Sequence, residues 1–85
     1  MIISDIKSRE TMQTRMDGRY PLRIGSTVEF YEPPFRGCSM VLAYVLDNQG
    51  NPKSGYLQTS VVKNIQESPN QYIITTKNSI YYLER

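Results

Sequence analysis

The sequence predicts a mainly β fold: a small SH3-like barrel or roll of five to six short antiparallel strands, with a short N-terminal helix or arm. Three stretches carry that prediction. Residues 27–32, Thr-Val-Glu-Phe-Tyr-Glu, alternate so that Val28 and Phe30 point one way and Thr27, Glu29 and Tyr31 the other, as in a half-buried strand. Residues 39–46 are apolar on both faces, with Met40, Leu42, Tyr44 and Leu46 on one and Val41, Ala43 and Val45 on the other, the pattern of a central strand. Residues 71–83 place two runs of β-branched and aromatic residues on either side of Lys77-Asn78. Such residues suit a pleated surface, and Asn tolerates the left-handed backbone of a tight turn, so this stretch reads as a hairpin.

Taken in order, residues 1–18 read as a helical or partly ordered arm. Ser8 can cap a turn, Met12 and Met16 stand four apart on one helical face, and Ile2, Ile3 and Ile6 add apolar surface. Asp17-Gly18 signals a stop, and residues 19–85 form the barrel. Residues 19–24 suit an extended segment with Pro21 at an edge. Pro33-Pro34 ends the first clear strand because neither residue can donate to a ladder, and Phe35-Arg36-Gly37 completes a loop. Residues 47–55 are a polar loop rich in turn formers. Extended structure resumes at Tyr56-Leu57-Gln58 and continues or restarts at residues 61–65. With Lys77-Asn78 as a two-residue loop, Ile74 faces Tyr81 and Tyr72 faces Leu83 on one surface, while Ile73 faces Tyr82 and Thr75 faces Ile80 on the other. The expected core is Val28, Phe30, Leu42, Tyr44, Leu57, Val61, Ile74 and Tyr81. An OB-like barrel, or a helix packed on an antiparallel sheet, are the alternative architectures.

Eighty-five residues make one domain with a thin core. The net charge of +2 is unevenly placed: Lys7, Arg9, Arg15, Arg19 and Arg23 face Asp5, Glu10 and Asp17 in residues 1–25, and the two signs balance thereafter. That is a modest footprint for a polyanion or a solvated mixed-charge segment. Cys38 is alone, which fits a reducing compartment, and its place at a strand start suits a small buried hydrophobe. No stretch is long and apolar enough to span a bilayer, and residues 1–6 lack the pattern of a signal peptide, so the expected location is cytoplasmic. With no His and one Cys there is no metal-ligand spacing and no base for a nucleophile, and the single glycines form no phosphate-cradling loop. The expectation is therefore a protein that is not an enzyme, has no catalytic residue and needs no cofactor or metal.

Thr59-Ser60-Val61-Val62 followed by Thr76-Lys77-Asn78-Ser79-Ile80-Tyr81 resembles the ending of many small uncharacterised bacterial and phage proteins. The resemblance covers the last third of the chain. It implies a phage or mobile-element origin and assigns no residue a role. Two kinds of binding remain. In the first, the protein is a phage-type regulator or inhibitor that docks on a host protein, or self-associates, through Tyr31, Pro34, Phe35 and Arg36, since aromatics and Arg are favoured interface anchors. Phe35 serves there as an anchor, unless it folds back as a lid on the core. In the alternative, a β-barrel binds single-stranded nucleic acid, with Tyr56 and Tyr82 stacking bases and Arg19, Arg23, Arg36, Lys63 and Lys77 meeting phosphates.

Overall fold

The computed structural model describes all 85 residues, Met1–Arg85. Six strands, β1 (Ile2–Ser8), β2 (Thr27–Phe30), β3 (Ser39–Leu46), β4 (Tyr56–Glu67), β5 (Gln71–Thr76) and β6 (Ser79–Glu84), form one closed antiparallel barrel. Strand order follows chain order, and β6 pairs with β1 to shut the ring. One helical turn, α1 (Tyr20–Arg23), interrupts the connection from β1 to β2. No helix is long and apolar enough to cross a membrane.

The N-terminal segment is a correction to the expected arm. Residues 2–8 are the strand that closes the barrel, paired along their length with β6. A bulge between Ile3 and Asp5 resets the alternation, so Ile3 opposite Leu83 and Ile6 opposite Tyr81 both point inward and are fully buried. Their spacing of three breaks the alternation by which a strand is recognised, so the stretch does not read as one. Met12 and Met16 share no apolar face; both are exposed in the connection that follows. Ser8 does cap a turn there: its hydroxyl accepts from the N–H groups of Glu10 (3.2 Å) and Thr11 (3.3 Å).

Residues 19–24 are likewise not extended. Pro21 sits in the first turn of α1, where its missing N–H is harmless. Gly25 then turns the chain into β2 with φ of +94°; its N–H donates to Ile3 at 2.7 Å, and a Cβ there would lie 3.3 Å from that of Asn48. The β1–β2 seam is short: Ile2 opposite Thr27, with Val28 N–H on the Met1 carbonyl and the terminal ammonium on the Val28 carbonyl. The rest of the outer edge of β1 is occupied by its own connection, with Ser8 N–H on Gln13 and Arg15 N–H on Ile6.

The core holds Ile3, Ile6, Val28, Met40, Leu42, Leu57, Val62, Ile74, Tyr81 and Leu83. Five of the expected core residues are among them. Phe30 and Tyr44 are half-buried against the cluster, and Val61 yields its place to Val62. The cause is again irregular pairing. Strand β4 is continuous for 12 residues but shifts register near residues 58–61 and 62–64, so Leu57, Thr59, Val62 and Ile65 share the inner side. Thr59 is tolerated inside because its hydroxyl accepts from Met40 N–H (3.1 Å) and donates to the Ser60 carbonyl (2.7 Å).

The closing hairpin has the expected register, with Ile74 opposite Tyr81, Tyr72 opposite Leu83, Ile73 opposite Tyr82 and Thr75 opposite Ile80. Its turn is built differently. Asn78 does not enter the left-handed region. Instead the buried Thr76 hydroxyl accepts from Ser79 N–H (3.1 Å) and donates to the Ser79 carbonyl (3.0 Å), and Lys77 N–H donates to Val61.

Candidate binding surfaces

The loop from β2 to β3 and the strands beside it form an apolar surface. β2 stops at Phe30, short of the expected Glu32, with Tyr31 N–H still on the Val41 carbonyl, and Pro33 and Pro34 lie in the loop that follows. Gly37, at φ of +89°, turns it back, and its N–H donates to Val62 at 2.9 Å. Cys38 N–H donates to the Phe35 carbonyl at 3.3 Å. This bracing leaves Phe35 at the tip with 61% of its surface exposed, so it is not a lid on the core. Arg36 is exposed beside it, and so is Cys38, contrary to the buried role its position suggested.

Tyr31 and Tyr56 lie on the outer wall, 62% and 63% exposed, with rings edge to face at 5.0 Å. Between them run Val41, whose carbonyl accepts from Tyr31 N–H, and Ala43, opposite Tyr56. The apolar second face of β3 is thus outer wall, half-buried at Val41 and Ala43 and exposed at Val45, rather than the buried side of a central strand. Tyr31, Pro33 and Pro34 also line a groove of about 470 Å³ with Phe30, Ile65 and Tyr72. Phe30 and Tyr72 meet edge to face at 5.0 Å, and the Arg85 guanidinium lies 4.4 Å above Tyr72 while pairing with Glu67.

A basic and aromatic surface lies around α1. The Arg15 guanidinium is 4.2 Å and that of Arg23 5.1 Å from the Tyr20 ring centre, and the Lys53 ammonium is 4.2 Å from that of Tyr44. Arg15 is further fixed by Asp17 (2.8 and 3.2 Å) and by donating to the Ser79 hydroxyl at 2.9 Å. That pairing holds the Asp17 carboxyl below the usual range and raises Arg15. Burial pushes Tyr81 up to about 12, and it raises Tyr44 too, with Arg23 drawing Tyr44 part of the way back. Asp47, which closes the β3–β4 loop by accepting from the N–H groups of Gln49 and Asn51, is lowered by those bonds.

The residues singled out from sequence fall on several surfaces, two of which touch at Tyr31 and Tyr56. Tyr31 and Pro34 line the apolar groove, and Phe35 and Arg36 follow on the same loop. Arg19, Arg23 and Tyr56 line one groove beside α1, of about 280 Å³, and Lys77 lines another on its far side, of about 490 Å³. Arg36, Lys63 and Tyr82 line neither, so the seven residues of the nucleic-acid reading do not form one surface. Tyr82 is half-buried on β6 under the Lys7 ammonium. Sequence reasoning missed Tyr20, Arg15, Arg9 and Lys53. Arg9 and Arg15 were signalled only by the excess of basic residues before Gly25, and Tyr20 and Lys53 by nothing; the fold gathers them from the β1–α1 connection, α1 and the β3–β4 loop.

No three carboxylate or thiol side chains converge on a point that could hold a metal ion. Compared with protein-family models, with curated proteins and with solved structures, the chain matches none.

Proposed function

We propose that the chain is a non-catalytic binding protein that docks on another protein through Phe35, with Tyr31, Pro34 and Arg36 around it. The observation that carries this reading is the exposed Phe35 ring on a backbone braced by Pro33-Pro34 before it and by the Gly37 and Cys38 hydrogen bonds after it. An anchor held this way loses little freedom on binding. The ring is closed apart from its short β1–β2 seam, and recognition in this reading rests on the side chains of the β2–β3 loop. The partner this surface suits offers an apolar pocket for Phe35 and a carboxylate at its rim for Arg36. In this reading the protein works in the cytoplasm as a phage- or mobile-element-type regulator or inhibitor of a host protein, a specification supported only by the resemblance of its closing hairpin.

Affinity capture from nuclease-treated lysate, followed by titration of the captured protein, tests the proposal. Phe35→Ala is expected to weaken that binding by about 2 kcal/mol, roughly 30-fold, with the melting temperature nearly unchanged. Equal affinity of variant and unmutated protein would refute Phe35 as the anchor. A large drop in melting temperature would show that the ring supports the fold instead.

A further inference from the structure

Cations are concentrated at one place on the barrel. The two grooves beside α1 are lined by Arg9, Arg15 and Lys77 on one side and by Arg19, Arg23 and Lys53 on the other. These are six of the chain's ten basic residues, against one carboxylate, Glu10, of eight. The grooves meet at α1: Tyr20 lines the first, Arg19 and Arg23 line the second, and Arg15 and Arg23 share the Tyr20 ring. Asp17 on Arg15 and Asp47 near Lys53 stand at the margins. The molecule has two ion pairs, Arg15–Asp17 and Arg85–Glu67, so five of the six groove cations have no carboxylate partner. Gathered cations without counter-charges repel one another, and a polyanion laid along them relieves that repulsion.

The second groove also carries bare apolar surface. Tyr56 and Leu22 each keep 63% of their area exposed at its walls. A charged groove with an aromatic beside it is the arrangement that tracks a phosphate backbone while stacking an unpaired base. We propose that the surface around α1 binds single-stranded nucleic acid, with Arg19, Arg23, Lys53 and Lys77 on phosphates and Tyr56 under a base. This site adjoins the docking surface at the Tyr31–Tyr56 contact but uses none of its residues and does not depend on Phe35.

Fluorescence anisotropy with labelled oligodeoxythymidylate and oligouridylate, each about 12 nucleotides long, tests this. With four phosphates engaged, affinity is expected to fall about 50-fold between ~50 and ~200 mM salt. Arg19→Glu combined with Lys53→Glu is expected to weaken binding at least about tenfold, as is Lys77→Glu combined with Arg9→Glu, which guards against misfolding of either variant. Tyr56→Ala is expected to lose about fivefold or more. Lys63→Glu, an exposed charge outside both grooves, should change affinity less than about twofold, and Phe35→Ala should leave it intact. The proposal fails if neither strand binds at ~50 mM salt, if Lys63→Glu weakens binding as much as the groove variants, or if a duplex of equal length binds tighter. Polyglutamate competing as well as the oligonucleotide would also overturn it, in favour of an acidic protein ligand.

Discussion

Ile6→Ala is expected to destabilise the protein by about 3–4 kcal/mol, enough to unfold much of a domain this small. Ile6 is fully buried, lies opposite Tyr81 across the strand pair that shuts the barrel, and belongs to the single core cluster. Removing its side chain beyond Cβ leaves a void that a closed ring cannot collapse around, so the loss of apolar burial and the cavity add. Urea unfolding of the variant beside Ile2→Ala makes the comparison internal. Ile2 is on the same strand, 45% exposed, and its truncation should cost less than about 1 kcal/mol. Similar small losses at both positions would show that β1 does not close the barrel.

Stability is expected to fall by about 2–3 kcal/mol as pH rises from 10 to about 12, through Tyr81. Desolvation is the main cause: the ring is 2% exposed, and a phenolate there would be taken out of water. Above pH 10 the unfolded chain releases this proton while the folded chain keeps it. The folded state then binds more protons than the unfolded one, so stability drops with pH at up to about 1.4 kcal/mol per unit until the folded phenol ionises too. Below pH 10 both states hold the proton and the contribution is whole. Tyr81→Phe has no such proton. Other groups titrate alike in both proteins, so the gap between unmutated and variant stability should shift in the variant's favour by that amount across the window. A constant gap would refute the assignment.

The parts of the fold legible in sequence are those where alternation runs unbroken. Strand β3 has the expected bounds, and the hairpin pairs as its β-branched and aromatic runs dictate. Bulges spoil the rest. In β1 and β4 they convert a period of two into inward positions three apart, which hides the strand at Ile3 and Ile6 and moves the inner site from Val61 to Val62. The hairpin turn was located correctly, but by residues whose chemistry acts elsewhere: Thr76 and Ser79 hold it, not a left-handed Asn78. The loop of Tyr31, Pro34, Phe35 and Arg36 was readable because its members are adjacent in the chain. The surface around α1 was not, because Arg15 and Arg23 find Tyr20, and Lys53 finds Tyr44, only once three separate connections are folded together.

The pairing of β1 with β6 also sets a timetable. Of the barrel's six strands the first to be made needs the last as its neighbour, and Ile3 and Ile6 have no inner wall to face until Leu83 and Tyr81 have been made. A nascent chain lacking β6 therefore carries exposed isoleucines and an open seam, and folding waits on the longest loop closure the ring requires. Such a barrel is expected to fold only once β6 has emerged, in milliseconds to seconds rather than microseconds, and to be most vulnerable to proteases and to association with other nascent chains in the interval before β1 and β6 meet.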